Sequence, residues 1–537
     1  MSVRAAAPVA QSAGDAVTSH AKKAMTKKRK PSTKRRAGPR SADRPAEAAA
    51  PTASAALLAA QGAAVLAAFL VSLDYTAITV ALPTLATDFG VGTSAASWAS
   101  LSYMLAMVIL TPIAGATIGR IGLRRGLIAA FALFTAASLG ASQSEGLVML
   151  VAMRGLQGVG ASVMFFIGPA ILKEMVPADR QSRAFAILSA SPMVGLAAGP
   201  TIGGALTSAF GWQSVFLINL PLGALGIVLA LSVVSGRTAP SRAAPLPSPV
   251  AMILGIATLG PAVLLLNQGQ EWGWTSLPIL LLGAFALLAG VAFVRNERGT
   301  RTGLVDRKVL ASHNFRIAAA IFSLILIVFG GVVFLMPFYL QWGLDLSAAA
   351  AGRVLAAQPL MMIAVSLAMG FGLASLDPRR ICRAGILLVA VGTGVIAASP
   401  VAAGWWLPLA GLALIGAGVG LYYPTLMQLG LSDVPRQLSA TASSLQATVR
   451  VAAQMFGIVI FETLLSGIDP RALDATKAAA MTAAERGELH TAAQITFAVG
   501  AAVALLSLLP AARLAGKDGA KPAPAKGPPP ARRRRKP

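Results

Sequence analysis

The sequence predicts an all-α polytopic membrane protein with fourteen transmembrane helices, arranged as two six-helix bundles plus two inserted central helices. Three observations predict it. Of 537 residues, 56% are hydrophobic and 12% charged, against about 45–50% and about 25% in soluble domains. Fourteen apolar runs approach the ~20 residues that a membrane helix needs. The first six runs also resemble the last six at a nearly constant offset. This composition excludes a soluble enzyme of such length. It excludes a disulfide scaffold, because Cys382 is the single cysteine. A metal centre is not expected, because His20, His313 and His490 lie far apart in sequence.

Taken in order, residues 1–56 hold 12 bases and 3 acids, with KKAMTKKRKPSTKRRAGPR at their centre. Few apolar residues and much proline predict a disordered basic cytoplasmic tail. Its charged stretch is too long for a cleavable signal peptide. Residues 57–235 form the N-terminal six-helix bundle, with spans starting near Leu57, Ala95, Arg124, Gly146, Arg183 and Gln213. Residues 236–300 are a linker carrying helices seven and eight, from near Pro249 and Thr275. Residues 301–510 form the C-terminal six-helix bundle, with starts near Asn314, Gly352, Ile381, Trp405, Ala440 and Thr491. Residues 511–537, with 9 bases and 1 acid, are a second disordered basic cytoplasmic tail. The tails suit either anionic lipid head groups or nucleic acid. Because the core is in a bilayer, the plainer reading is a solvated tail that fixes the cytoplasmic side, with no nucleic-acid partner.

An even number of spans puts both tails on one side. Were that side cytoplasmic, 39 of the 45 bases would be cytoplasmic, and the outer loops would keep Arg353, Arg471, Lys477 and Arg486. Outer loops then carry Asp88, Glu145, Glu271, Asp345 and Asp469. The positive-inside rule therefore predicts a multi-pass protein of a bacterial-type cytoplasmic (inner) membrane with both termini cytoplasmic.

The repeat is visible in three places. Pro83, near the end of the first span, aligns with Pro337 near the end of the ninth, an offset of 254. GVGASVMFF from Gly158 has its partner in LIGAGVGLYY from Leu414, and Val176-Pro177 is echoed by Val434-Pro435, so offsets stay within 254–258. Two like bundles about an axis along the membrane normal are the architecture of alternating-access transporters. Nothing in the chain reads as the filter of a channel.

Four segments carry a more specific likeness. They are LDYTAITVALP (73–83), RGLQGVGAS (154–162), GLAAGPTIGG (195–204) and WQSVFLINLPLG (212–223). In this order and on these spans, the chain resembles the fourteen-helix drug:proton antiporter branch of the major facilitator superfamily, over roughly residues 57–510. The resemblance implies the major facilitator fold, no enzymatic activity, no cofactor beyond the proton gradient, and export of drugs. It implies that Gly195, Gly199, Pro200, Gly203 and Gly204 form the antiporter motif, which seals the closed side. It also implies a cytoplasmic gate at Gly115, Arg120, Gly122, Arg124 and Arg125, with Asp377 and Arg379 as second-half counterparts. The sequence departs from the pattern at Gly119, where the family has an aspartate, and at Thr79, where it has an asparagine.

Ionisable groups inside a span cost about 2.5–3.5 kcal/mol each on insertion scales and need a reason. Asp74 lies roughly 13 Å below the outer end of the first span and Arg154 roughly 12 Å into the fourth. They are expected at one level, facing the central cavity. There Asp74 would alternate between holding a proton and pairing with Arg154 or binding a substrate cation. Burial favours the neutral acid and a guanidinium favours the anion, so such a group can cycle. Each pH unit supplies about 1.36 kcal/mol per proton, and 100 mV about 2.3 kcal/mol per charge. A static ion pair that orients two helices is the alternative.

Gln157, Tyr422, Tyr423 and Arg450 are further candidates for the substrate cavity. Gln157 shares a face with Arg154, and aromatic rings stack on aromatic or cationic compounds. The alternative is an interhelical packing hydrogen bond for Gln157, an interface anchor for the tyrosines and a structural partner for Arg450. Gly195, Gly199 and Gly203 lie on one helix face, and with Pro200 they predict a kinked, closely packed helix at the interface of the two halves. The expected function is proton-coupled antiport of drugs or other amphipathic or cationic molecules by alternating access. The nearest alternative keeps the fold with a dedicated metabolite as cargo. The expected partners are a small-molecule substrate, protons and the lipid bilayer. The loop 466–492 is long enough to meet a periplasmic adaptor protein. H-E-x-x-H, G-x-S-x-G in context and a Walker A lysine are all absent from the sequence, against a membrane enzyme or an ATP-driven pump.

Overall fold

The computed structural model describes residues 53–231, 248–299, 307–371, 377–435, 438–468 and 481–514. The two tails, most of the linker before the seventh span, the gate segment 372–376 and the loop 469–480 lie outside the described residues. Fourteen described helices are long and apolar enough to cross a membrane. They are α1 (Ala56–Phe89), α2 (Thr93–Thr111), α3 (Leu123–Ser142), α4 (Leu147–Met175), α5 (Arg183–Phe210), α6 (Ser214–Leu231) and α7 (Pro249–Trp272). The others are α8 (Leu277–Arg298), α9 (His313–Gly343), α10 (Ala348–Met369), α11 (Pro378–Ala397), α12 (Trp406–Leu431), α13 (Thr441–Ile468) and α14 (Ala483–Ala511). Helix is the dictated form, since hydrocarbon offers no partner for an unpaired backbone N–H or C=O.

Short connections make neighbouring spans antiparallel, so α1 starts and α14 finishes at one end of the bundle. We call it the basic end, for residues at helix ends there such as Arg124, Arg125 and Lys173. The opposite, or far, end carries Asp88, Glu145 and Asp345.

Two sets of six helices repeat one packing scheme. In the first set α1 packs on α4, α5 and α6, α2 on α4, and α3 on α4 and α6. In the second, α9 packs on α12, α13 and α14, α10 on α12, and α11 on α12 and α14. The two schemes superimpose helix for helix, as the sequence offset requires. Between the sets, α5 meets α10 and α2 meets α13, contacts that the same offset exchanges. The inserted pair forms a hairpin that packs by α7 on α2 and α13. Leu277, Leu280, Leu281 and Phe285 of α8 are exposed, as a lipid-facing helix needs. Asn267 fixes α7 to α2: its carboxamide oxygen accepts from Trp98 Nε1 at 2.7 Å, and its nitrogen donates to Ser97 Oγ at 3.0 Å. Thr463 of α13 donates to the Leu266 carbonyl at 2.9 Å.

Two hydrogen bonds join the halves towards the far end. Gln341 of α9 donates to the Val80 carbonyl of α1 at 2.9 Å. The Ala349 N–H of α10 donates to Ser208 Oγ of α5 at 2.9 Å. Beside them α5 and α10 approach so closely that a Cβ on Gly204 would lie 3.3 Å from Ala349 Cα.

Candidate functional site

Below that seal the halves part around a cavity of about 240 Å³. Its wall comes from both halves, with Tyr75, Tyr103, Met193, Phe329, Tyr423 and Arg450 among its residues. On α1, α5 and α9, Tyr75, Met193 and Phe329 lie nearer the basic end than Val80, Ser208 and Gln341, which close the halves together. The cavity is therefore shut towards the far end.

Asp74 and Arg154 do meet. Arg154 Nη1 lies 2.6 Å from Asp74 Oδ2, and both side chains are wholly buried. Arg154 Nε donates to the Ala99 carbonyl of α2 at 2.7 Å, and Nη1 donates also to Gln157 Oε1 at 2.8 Å. Asn219 Nδ2 donates to Asp74 Oδ1 at 2.7 Å, while Gln157 Nε2 reaches the same oxygen at 3.4 Å and Ser138 Oγ at 2.6 Å. One carboxylate is thus tied to side chains from α4 and α6, and through them to α2 and α3. Asn219 comes into place at a break in α6, between Ser214–Leu217 and Asn219–Leu231. Pro221 follows two residues on, where it lacks a backbone donor and restricts its predecessor.

The network corrects the expected placement. Asp74, Arg154 and Gln157 are inside the first half and do not belong to the cavity wall. Direct capture of a substrate cation by Asp74, as the sequence suggested, therefore lacks a route in this conformer. Between the pair and the cavity stands Tyr103, whose ring centroid is 4.4 Å from Arg154 Cζ and which itself lines the cavity. Tyr75, next to Asp74 in the chain, lines it too. Tyr422 is a second correction. It is fully buried, and its Cβ is 2.9 Å from the position a Cβ would take on Gly385 of α11. Tyr423 and Arg450 are in the wall.

The antiporter-motif glycines divide between two roles. A Cβ on Gly195 would sit 3.0 Å from Leu73 N, one on Gly199 3.0 Å from Ala77 N, and one on Gly203 2.8 Å from Ala77 Cα. These three therefore let α5 lie against α1 within the same half, rather than at the interface expected from sequence. Gly204 and Pro200 do reach the other half: a Cβ on Gly352 of α10 would be 3.1 Å from the Pro200 carbonyl carbon. Ser191 Oγ donates to the Val65 carbonyl at 2.5 Å and completes the α1–α5 seam.

At the basic end, Gly115 and Arg120 fall within a helix that continues from Thr93 to Ile121, but their side chains lie outside the described residues. Gly122 takes φ +85° at the start of α3, a conformation that favours glycine. Arg124 and Arg125 open α3 behind it. Asp377 caps α11, accepting from Arg379 N at 3.0 Å.

Sequence reasoning did not single out Asn219 or Ser138 as site residues. The available signal was a polar side chain in an otherwise apolar run, the same signal that marks Asp74.

The sequence profile of the Major Facilitator Superfamily matches residues 64–458. The chain is 29% identical over 418 residues to a "Probable actinorhodin transporter" of Streptomyces coelicolor, covering 76% of this chain and 72% of that one. It is 26% identical over 406 residues to the "Multidrug resistance protein Stp" of Mycobacterium tuberculosis, covering 75% of each. Among solved structures, it aligns with a bacterial homologue of the human lysosomal transporter Spinster in an inward-facing, unoccupied conformation. That alignment has a TM-score of 0.60 and 14% identity, over 87% of this chain and 98% of that one.

Proposed function

This chain belongs to the major facilitator superfamily of membrane transporters, and from that premise we propose that it exports amphipathic small molecules in exchange for protons. The transporter fold gives two halves that rock about a central cavity. With the basic end cytoplasmic, the cavity lies on the cytoplasmic side of the bonds that join the halves. That polarity suits export from a bacterial-type inner membrane with both tails inside.

One observation carries the proton-coupled reading: the carboxylate of Asp74 is held by Arg154, Asn219 and Gln157, next to the cavity but outside its wall. A proton arriving at Asp74 cancels the negative charge that holds Arg154, and Arg154 then leans on Gln157, the Ala99 carbonyl and the Tyr103 ring. Tyr103 faces both the charge and the cargo, so cargo and proton each bias the position of the same residue. Coupling of this kind needs no contact between Asp74 and substrate. It replaces the direct exchange of proton for substrate cation at one carboxylate.

Inside-out membrane vesicles from a host without its own efflux pumps test the reading. Fluorescein and rhodamine 123 serve as probes, with an imposed pH gradient that is then collapsed by an ionophore. Accumulation of either probe that requires the gradient is expected. Equal accumulation with and without the gradient overturns proton coupling. A dedicated metabolite as cargo is the second reading, favoured by the similarity to a protein named as an actinorhodin transporter. Transport confined to one chemical type across a probe panel would favour it.

A further inference from the structure

The cavity wall carries one formally charged side chain among its described residues, and it is Arg450. Neither Asp, Glu nor Lys joins it there. Among the described residues Arg450 has no carboxylate within ion-pair distance. Its Nη1 reaches Met427 Sδ at 3.5 Å, a weak acceptor. Its Cζ lies 5.4 Å from the centroid of the Tyr423 ring and 5.8 Å from that of Phe322. The contrast with Arg154, whose charge is met by Asp74 at 2.6 Å, is one of design. One arginine is neutralised inside its half, and the other is presented to the cavity with its donor fork unmatched.

A guanidinium has five N–H donors in a planar fork that fits a carboxylate or sulfonate bidentately. In apolar surroundings an unpaired charge is costly, and an anion that pairs with it gains accordingly. The rest of the wall is uncharged and mostly thioether, aliphatic and aromatic, with Met104, Phe165 and Phe329 among its residues beside the polar Ser72, Ser189, Ser366 and Gln454. We propose that the preferred cargo is an amphipathic aromatic anion, whose carboxylate or sulfonate pairs with Arg450 while its ring system lies against the apolar wall. This rests on the reading of the cavity as the cargo site. It replaces the cation preference drawn from the sequence, which needed Asp74 in the wall.

Fluorescein and rhodamine 123 share a fused-ring scaffold and differ in the sign of their charge. Their binding to the purified full-length protein in detergent, followed by fluorescence anisotropy at neutral pH, reads the preference without any gradient. Fluorescein is expected to bind at least about tenfold more tightly than rhodamine 123, equivalent to about 1.4 kcal/mol. Arg450→Gln should remove that preference and Arg450→Lys should keep most of it. Gln454→Glu leaves Arg450 in place and sets a carboxylate one turn away. It should abolish the preference too, even if Arg450→Gln does not fold. Fluorescein binding no tighter than rhodamine 123 binding overturns the proposal, as does a preference that survives both Arg450→Gln and Gln454→Glu. If the preference holds and the vesicles show no gradient-driven flux, the exporter reading fails by itself. If rhodamine 123 is driven and fluorescein refused, the anion preference fails by itself.

Discussion

Replacing Arg154 with methionine strands Asp74 in the interior of the first half. The carboxylate would lose its 2.6 Å partner and keep Asn219 at 2.7 Å and Gln157 at 3.4 Å. Removing one member of a buried pair costs about 3–5 kcal/mol, because the charge left behind is uncompensated. At about 2 °C per kcal/mol, the thermal midpoint should fall by about 6–10 °C. The double variant Asp74→Asn/Arg154→Met removes both charges together. Charge-free replacement of a buried pair is often neutral or better, so the double variant should recover at least half of the loss. The assay is thermal unfolding of all four proteins, purified in one detergent, read as a double-mutant cycle. Losses that simply add in the double variant, to within about 0.5 kcal/mol, would mean that the two residues are uncoupled. The network described here would then be wrong.

Three further outcomes follow from the same geometry. Asn219→Leu removes the nearer carboxamide donor to Asp74 Oδ1 and should cost about 1–3 kcal/mol in unfolding free energy; an unchanged midpoint would deny it a role. Gly199→Ala places a methyl 2.9 Å from Thr76 Cβ and 3.0 Å from Ala77 N. It should cost about 1–3 kcal/mol by forcing α5 off α1, with probe efflux slowed, and full efflux would show that the seam tolerates separation. Asn267→Leu leaves Trp98 Nε1 and Ser97 without their α7 partner. It should lower the midpoint by an amount equivalent to about 1–3 kcal/mol while fluorescein binding stays unchanged, because Asn267 is outside the cavity wall.

Much of the fold was legible because bilayer thickness fixes helix length and the chain writes its architecture twice. The offset between Pro83 and Pro337 foretold that spans one to six and nine to fourteen form two like bundles. The start of α14 was misjudged by about two turns, at Thr491 rather than Ala483. Those turns are polar and open with a capping box between Thr482 and Glu485. An apolar-run criterion passes over such turns, although T-x-x-E is itself a readable start signal. At the site, the depth of Asp74 and Arg154 was legible from the helical rise, and their meeting followed from it. The direction of each side chain around its helix axis was not. A span inside a bundle has no single polar face, so Gln157 and Tyr422 could not be told from cavity residues by spacing alone. The motif glycines show the same limit: their spacing announces a close helix contact without saying which helix it meets.

The claim on which the functional account rests is that the carboxylate of Asp74 carries the proton that drives transport. Asp74→Asn, compared with wild type at equal amounts in inside-out vesicles, tests it most directly. Two quantities are read: gradient-driven accumulation of fluorescein, and exchange of fluorescein at equal concentration on both sides. The account predicts that the variant loses accumulation and keeps exchange, since the cavity is intact and the proton site is gone. Accumulation by the variant at the wild-type level would contradict it.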